Sequence, residues 1–412
     1  MKVLTLSIAL SLLYSTQLLA DTNTTSSSLE AYISSNKQQS FMLERDKAES
    51  SSNILRDTWI APIMLNYSYG VSEAYDNKST TQKASISIDQ PIFQSGGIYF
   101  GIKYAQATRE YANYSVDVAE RKMIKDAVAL LMQIKQSTLR IKKQELLIAN
   151  AEINLEVKTQ QYLSGQLDSS FLDDAIVQKN TAKQTLFDLE ATKQRVVSQF
   201  RVISDLAYES ATIPHLELID EDAFLTQNIS YELSKSESEK NRYYKNMTIA
   251  KYLPKVSVYG GYNWDRSENL NFGGVSVGGT QVRETDYYTY GLKASMPINI
   301  NTFDDMQTTR VDYLKAKIAE SDKQRELKAL YEQVMQNIAS FDKKIALSQE
   351  NQEIYAKILA DTKELLHVGY KTSYDVDLLQ NSYDIQSIDV AIFELERQLE
   401  LLNLYEMYVK SE

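Results

Sequence analysis

The sequence runs to 412 residues with a formal net charge of −11, 28 Tyr, 13 Gly, two His and no Cys. Without Cys there is no disulfide, no thiolate metal site and no lipid-bearing Cys, and two isolated His make no zinc cluster. Lys and Arg are interspersed with acids, which excludes the clustered positive charge that nucleic-acid binding needs.

Residues 1–20, MKVLTLSIALSLLYSTQLLA, read as a signal peptide. Lys2 gives a minimal positive start, Val3 to Leu13 a short apolar stretch, and Ala20 a small residue before cleavage. The stretch is too short and too rich in Ser and Thr for a spanning helix, and no later apolar run is long enough for one. If the mature chain enters a membrane, it must do so as strands. Residues 21–58 are polar, Ser-rich and weakly helical in pattern, and the Ser/Thr cluster at 22–28 reads as a flexible tail.

At residue 59 the period becomes two. In WIAPIMLNYSYGVS, Ile63, Leu65, Tyr67, Tyr69 and Val71 share one face, and Met64, Asn66, Ser68, Gly70 and Ser72 the other. After a polar turn, Ala84, Ile86 and Ile88 alternate with Ser85, Ser87 and Asp89, and Pro91 with Gly96-Gly97 is expected to stop that strand. From about 98 to 163 the period is helical, with Ile124, Ala127, Leu131, Ile134, Thr138, Ile141, Glu145, Ile148, Glu152 and Leu155 in 3,4 spacing. Such a helix is roughly 100 Å long at 1.5 Å per residue. Gly165 breaks it, and a second helix is expected over about 169–208. Residues 209–250 read as a linker with Pro214 and short helical pieces.

The programme then restarts. Val256, Val258, Gly260, Tyr262 and Trp264 share a strand face, a glycine-rich loop NFGGVSVGGT follows, and Tyr290, Leu292, Ala294 and Met296 alternate with Thr289, Gly291, Lys293 and Ser295. A helix is expected over about 303–366, with Leu327, Leu330, Val334, Ile338, Phe341 and Ile345 along its seam. Gly369 breaks it, and a last helix over about 373–409 carries Ile388, Ile392, Leu395, Leu399 and Leu402. The chain is an internal duplication, with a first repeat over 21–208, a linker over 209–250 and a second repeat over 251–412. Pro62 corresponds to Pro254, Pro91 to Pro297 and Gly165 to Gly369.

Four half-apolar strands cannot stand alone in a bilayer, because each open edge leaves N–H and C=O groups unsatisfied in hydrocarbon. Closed bacterial barrels need about eight strands or more, so closure takes several copies. Trp59, Tyr67, Tyr69, Tyr262, Trp264, Tyr287, Tyr288 and Tyr290 suit the interfacial girdles of such a barrel. A soluble sheet with one wet face is the alternative. The helices carry narrow apolar seams, so they pack side by side with broad faces wet, and strand pairs feeding long helices imply a barrel continued by a hollow helical cylinder.

LPKVSVYGGYNW, GLKASMPINI and VGYKTSYDVDLLQNSY, in duplicated order, resemble the strand entry, strand exit and helix turn of the TolC family of outer-membrane efflux and secretion channels. The resemblance covers essentially the whole mature chain. It implies a membrane α+β fold: a homotrimer whose four strands per copy build a 12-stranded barrel, continued by a periplasmic coiled-coil tunnel. It also implies an inner-membrane pump and a periplasmic adaptor as partners, beside outer-membrane lipid. The two broken segments become the periplasmic tips. Gly165, Leu167, Ser170, Gly369 and Tyr370 fall where the family docks its adaptor. Asp375 falls at an entrance aspartate, where three copies form a cation-attracting ring whose mutual repulsion raises the pKa. A plain helix N-terminal acid is the alternative for Asp375.

The family's second entrance acid is Leu378 here, with Asp377 adjacent; its arginine is Lys371, its tyrosine Leu366, and its Thr-Asp pair Ser170-Phe171. The entrance lock is therefore built differently. Ser169-Ser170 and Thr372-Ser373 are expected to cap the returning helices. His215 and His367 are isolated, Gly273-Gly274 and Gly278-Gly279 lack the Lys-Ser/Thr of a phosphate loop, and no convergent acid pair supports catalysis. The expectation is a channel that is not an enzyme and has no cofactor. A poreless exported coiled-coil scaffold, structural or adhesive, is the alternative reading.

Overall fold

Two side-chain periods set the architecture seen in a computed structural model, which describes residues 30–74, 77–269 and 281–409. The export segment 1–20, the 22–28 cluster and the loop glycines 273–274 and 278–279 lie outside the described residues. In chain order the elements are α1 (Ser35–Asp57), β1 (Met64–Ala74), β2 (Asn77–Phe93), α2 (Gly97–Leu163), α3 (Ser169–Ile203), α4 (Glu221–Thr226), α5 (Ile229–Lys251), β3 (Lys255–Asn269), β4 (Gln281–Ser295), α6 (Thr302–His367) and α7 (Ser373–Tyr405).

The strands form one antiparallel sheet in the order β1-β2-β3-β4. Its register puts Leu65 opposite Ile86, Ile86 opposite Tyr262 and Tyr262 opposite Tyr288, so the apolar residues of both repeats share a face. That face is uncovered: Leu65 is 78 % exposed and Tyr290 78 %. The other face carries Ser85, Ser87, Asn263, Asp265, Thr289 and Lys293. Tyr287 pairs with Asn263 on this polar face, so it does not join the outward tyrosines as expected. β2 ends before Gly96-Gly97 as expected, with Pro91 inside its last residues. The strand continues to Phe93 through a register shift between Pro91 and Phe93, which accommodates the missing N–H.

The helices build a wall. Long α2 and α6 run away from the sheet, and each return is made in two stacked pieces. The N–H of Ser34, just before α1, donates to the C=O of Ile203 at the end of α3 (2.8 Å), and the N–H of Ile229 donates to Met407 beyond α7 (2.9 Å). Each repeat therefore begins with a helix of 23 residues. The expectation of a weakly helical leader and of short helical pieces before the second strands understated both. The α1 start also explains why α3 ends at Ile203 and not near 208. Ser34 takes the carbonyl, and the Asp205 carboxylate accepts from Ser35 N–H (3.0 Å) and Oγ (3.3 Å).

Near the sheet α2 lies between α1 and α5; farther out it lies between α3 and α7. Packing on two sides buries more than one seam. Ala127, Leu131 and Ile134 are buried as expected, but so are Val128 and Met132, while Thr138 and Glu145 are exposed. A straight helix drifts off a seven-residue repeat, so the buried stripe moves around it. The α2–α7 seam joins the repeats through Lys143–Asp389 (2.7 Å), Arg140–Glu396 (3.1 Å) and Asn381–Asn150 (2.8 Å). Such half-exposed contacts are worth about 0–1 kcal/mol each, so they fix register more than they stabilise.

The main apolar core sits midway along the wall, where α3 and α7 end and α4 folds in. Phe200, Phe224, Leu131, Met132, Leu401, Leu404 and Val334 are fully buried there. The Gln398 amide holds Leu216 at both its N–H (2.9 Å) and its C=O (3.3 Å), tying the linker to α7. Phe200→Ala is expected to destabilise the chain by about 3–5 kcal/mol in denaturant unfolding, because a rigid wall cannot collapse into the cavity.

Candidate functional site at the two helix turns

The turns after α2 and α6 are the same structure built twice. Ser164 and Val368 are the C-caps, and the next residues, Gly165 and Gly369, have φ of +73° and +80°. Gly165 N–H donates to Tyr162 C=O (2.9 Å) and Gln166 N–H to Gln161 C=O (2.9 Å). In the second repeat Gly369 N–H donates to Leu366 C=O (3.1 Å) and Tyr370 N–H to Leu365 C=O (2.9 Å). This pair of bonds is the Schellman closure, which satisfies orphan helix carbonyls and requires a left-handed residue. A Cβ at either glycine would meet nothing within 4 Å. The requirement is therefore backbone conformation and not space.

The returning helices are capped differently. In the first repeat Asp168 is the N-cap, accepting from Ser170 N–H (2.7 Å) and from Ser170 Oγ. This corrects the expectation that Ser169-Ser170 supply the cap: Ser170 donates to it. In the second repeat Thr372 is the N-cap and Asp375 completes a capping box. Asp375 N–H donates to Thr372 Oγ1 (3.3 Å), and Asp375 Oδ2 accepts from Thr372 N–H (2.9 Å) and Oγ1 (2.9 Å). Lys371 Nζ lies 3.7 Å from Asp375 Oδ1.

Thus Lys371, Thr372 and Asp375 form one cluster. The Thr372 backbone hydrogen bond is the largest influence holding the Asp375 carboxyl below its usual range, with the Thr372 hydroxyl and Lys371 adding to it against partial burial. Within one chain this opposes the raised pKa expected for a ring of acids. Asp377 and Ser170 are exposed and Leu167 is half-buried. Tyr370 is 81 % exposed, with Val368, Leu163 and Phe171 also open to solvent. Lys158 Nζ stands 5.8 Å from the centre of the Phe171 ring. His215 and His367 are exposed, and no group of three or more His, Cys, Asp or Glu among the described residues could hold a metal. No described helix is long and apolar enough to cross a membrane.

Gly165→Ala and Gly369→Ala are each expected to lower unfolding stability by about 1 kcal/mol, since only backbone strain changes; two unchanged unfolding curves would contradict this. The depressed Asp375 pKa makes its contribution to stability full above the unfolded-state carboxylate value and lost as pH falls through the folded one. The stability difference between wild type and Asp375→Asn is therefore expected to be present at neutral pH and to shrink as pH falls from the ordinary carboxylate range through the lowered folded value.

No family model and no curated protein matches this sequence. Solved structures match it in shape. The Campylobacter jejuni CmeC outer membrane channel superposes with a TM-score of 0.68 at 11% identity, covering 93% of this chain and 86% of that one. The outer membrane protein VceC from Vibrio cholerae gives 0.69 at 13% identity, covering 92% and 95%. The open state of the Neisseria gonorrhoeae MtrE outer membrane channel gives 0.59 at 11% identity, covering 92% and 86%. A four-stranded sheet continued by two long helices and their stacked returns, over nine-tenths of the chain, is the architecture these share: this chain has the fold of the TolC-type outer-membrane channels.

Proposed function

We propose that the chain is one subunit of a passive homotrimeric duct in the bacterial outer membrane. Its tunnel crosses the periplasm and serves an inner-membrane pump through a periplasmic adaptor, in efflux or type I secretion. The observation that carries this reading is the sheet: an apolar band, through Leu65, Tyr67, Ile86, Ile88, Val258, Tyr262, Tyr288, Tyr290 and Leu292, lies uncovered, and β1 and β4 are both edges among the described strands. Lipid on the apolar face and copies of the chain at the edges resolve both at once. Three copies close a 12-stranded barrel with polar faces inward.

The helical wall supports the same closure. Its outer edges are α1 with α3 on one side and α6 on the other. Exposed Val177, Phe187 and Val202 on α3, and Ile318, Leu347, Ile354 and Ile358 on α6, are apolar positions that a neighbouring copy covers. In the trimer Asp375 and Asp377, with Lys371, line the periplasmic entrance, and Gly165, Leu167, Ser170, Gly369 and Tyr370 form the rim that meets the adaptor.

Detergent extraction followed by reconstitution tests the duct. Discrete conductance steps are expected; a buffer-soluble chain without steps would favour a poreless scaffold. Asp375→Asn keeps an acceptor for Thr372 but removes charge, so block by divalent cations is expected to weaken. Block unchanged across divalent concentrations would remove Asp375 from the passage.

A further inference from the structure

Tyr259 and Gly291 are directly paired between β3 and β4, on the polar face of the sheet. Strand side chains ordinarily stand perpendicular to the sheet. Tyr259 does not: a Cβ built on Gly291 would lie 2.6 Å from its hydroxyl oxygen, 2.8 Å from Cζ and 3.0 Å from Cε1. The far end of the ring therefore lies down over Gly291, in space that any other residue would fill. Gly291 is in the extended conformation of a strand, so it is not needed there for positive φ. Its lack of a side chain is what the neighbour uses.

The surroundings agree. Tyr259 is also paired with Asp89 on its other side. Lys293 crosses diagonally over β3 to Asp89 (Nζ–Oδ2 3.9 Å), so that side already carries a charged pair. Gly291 is the vacant flank, and the ring leans into it.

We propose that Gly291 is the positioning residue of Tyr259: it berths the ring flat on the barrel wall and keeps it out of the passage near the helical end of the sheet. This rests on the duct reading, in which the polar face lines the lumen. With a copy in each of three subunits, one added methyl group at Gly291 lifts three phenols into the passage.

The test has two readouts on detergent-purified full-length protein. In single-channel recordings Gly291→Ala is expected to lower conductance about twofold, while Tyr259→Ala alone leaves it near wild type and the Tyr259→Ala/Gly291→Ala double variant recovers it. In a background with Trp59 and Trp264 replaced by Phe, a Tyr259→Trp probe is expected to be shielded from iodide and to become quenchable when Gly291→Ala is added. Gly291→Ala with unchanged conductance and unchanged quenching would overturn the proposal, as would Tyr259→Ala that by itself markedly widens the channel. A wild type without any conductance steps would end the duct reading and the proposed effect on the passage. The iodide result would still decide whether Gly291 berths the ring.

Discussion

The structure depends on the backbone hydrogen-bonding groups at the outer edges of β1 and β4. No described strand of the chain pairs with them, while the adjoining sheet face is apolar and bare. In water such a sheet invites aggregation, and in hydrocarbon an unpaired N–H or C=O costs several kcal/mol. The proposed closure with other copies answers that constraint, and it dictates the rest. A barrel shared between copies needs a wall beneath it with matching width, and the helical part supplies one.

That wall is economical in apolar residues. Its helices are held by a compact core at mid-height and by polar seams elsewhere, notably Lys143–Asp389 and Arg140–Glu396 between the repeats. Wet faces on both sides of a single layer of helices leave little interior to fill. The ends follow the same logic. A Schellman glycine and a side-chain cap close each turn from local bonds alone, so the tips need no core and can present Tyr370, Val368 and Phe171 to solvent.

The period of the side chains made most of this legible. Alternation from Ile63 to Val71 and from Val256 to Trp264 marked strands, and the 3,4 seams through Leu131 and Val334 marked α2 and α6. The helices α1 and α5 were legible only as weak or short helical pattern, because what they bury is largely small and polar. Phe41 and Ser52 are the buried residues of α1, and Ser236, Ser238 and Thr248 are among those of α5. Such residues leave no apolar stripe. At the tips, the glycines announced themselves by their place after a seam. In the second repeat Thr372 was legible as a cap and Asp375 as a helix N-terminal acid, but the two were not joined as the reciprocal Thr372-x-x-Asp375 box. Asp168 was overlooked because Ser169 and Ser170 beside it are equally good caps by type. The Tyr259–Gly291 contact depends on cross-strand register, which one strand's residues do not encode.

The absence of Cys from the sequence makes one direct measurement clean. A Cys placed at Ser68 in β1, combined in turn with single Cys positions across 285–293 in β4, reports whether those two edges meet between copies in the membrane. Oxidation is predicted to give covalent species ending at trimer, strongest at alternate β4 positions whose side chains share a face with Ser68. Monomers alone at every position, with both thiols still free to react, would contradict a shared barrel.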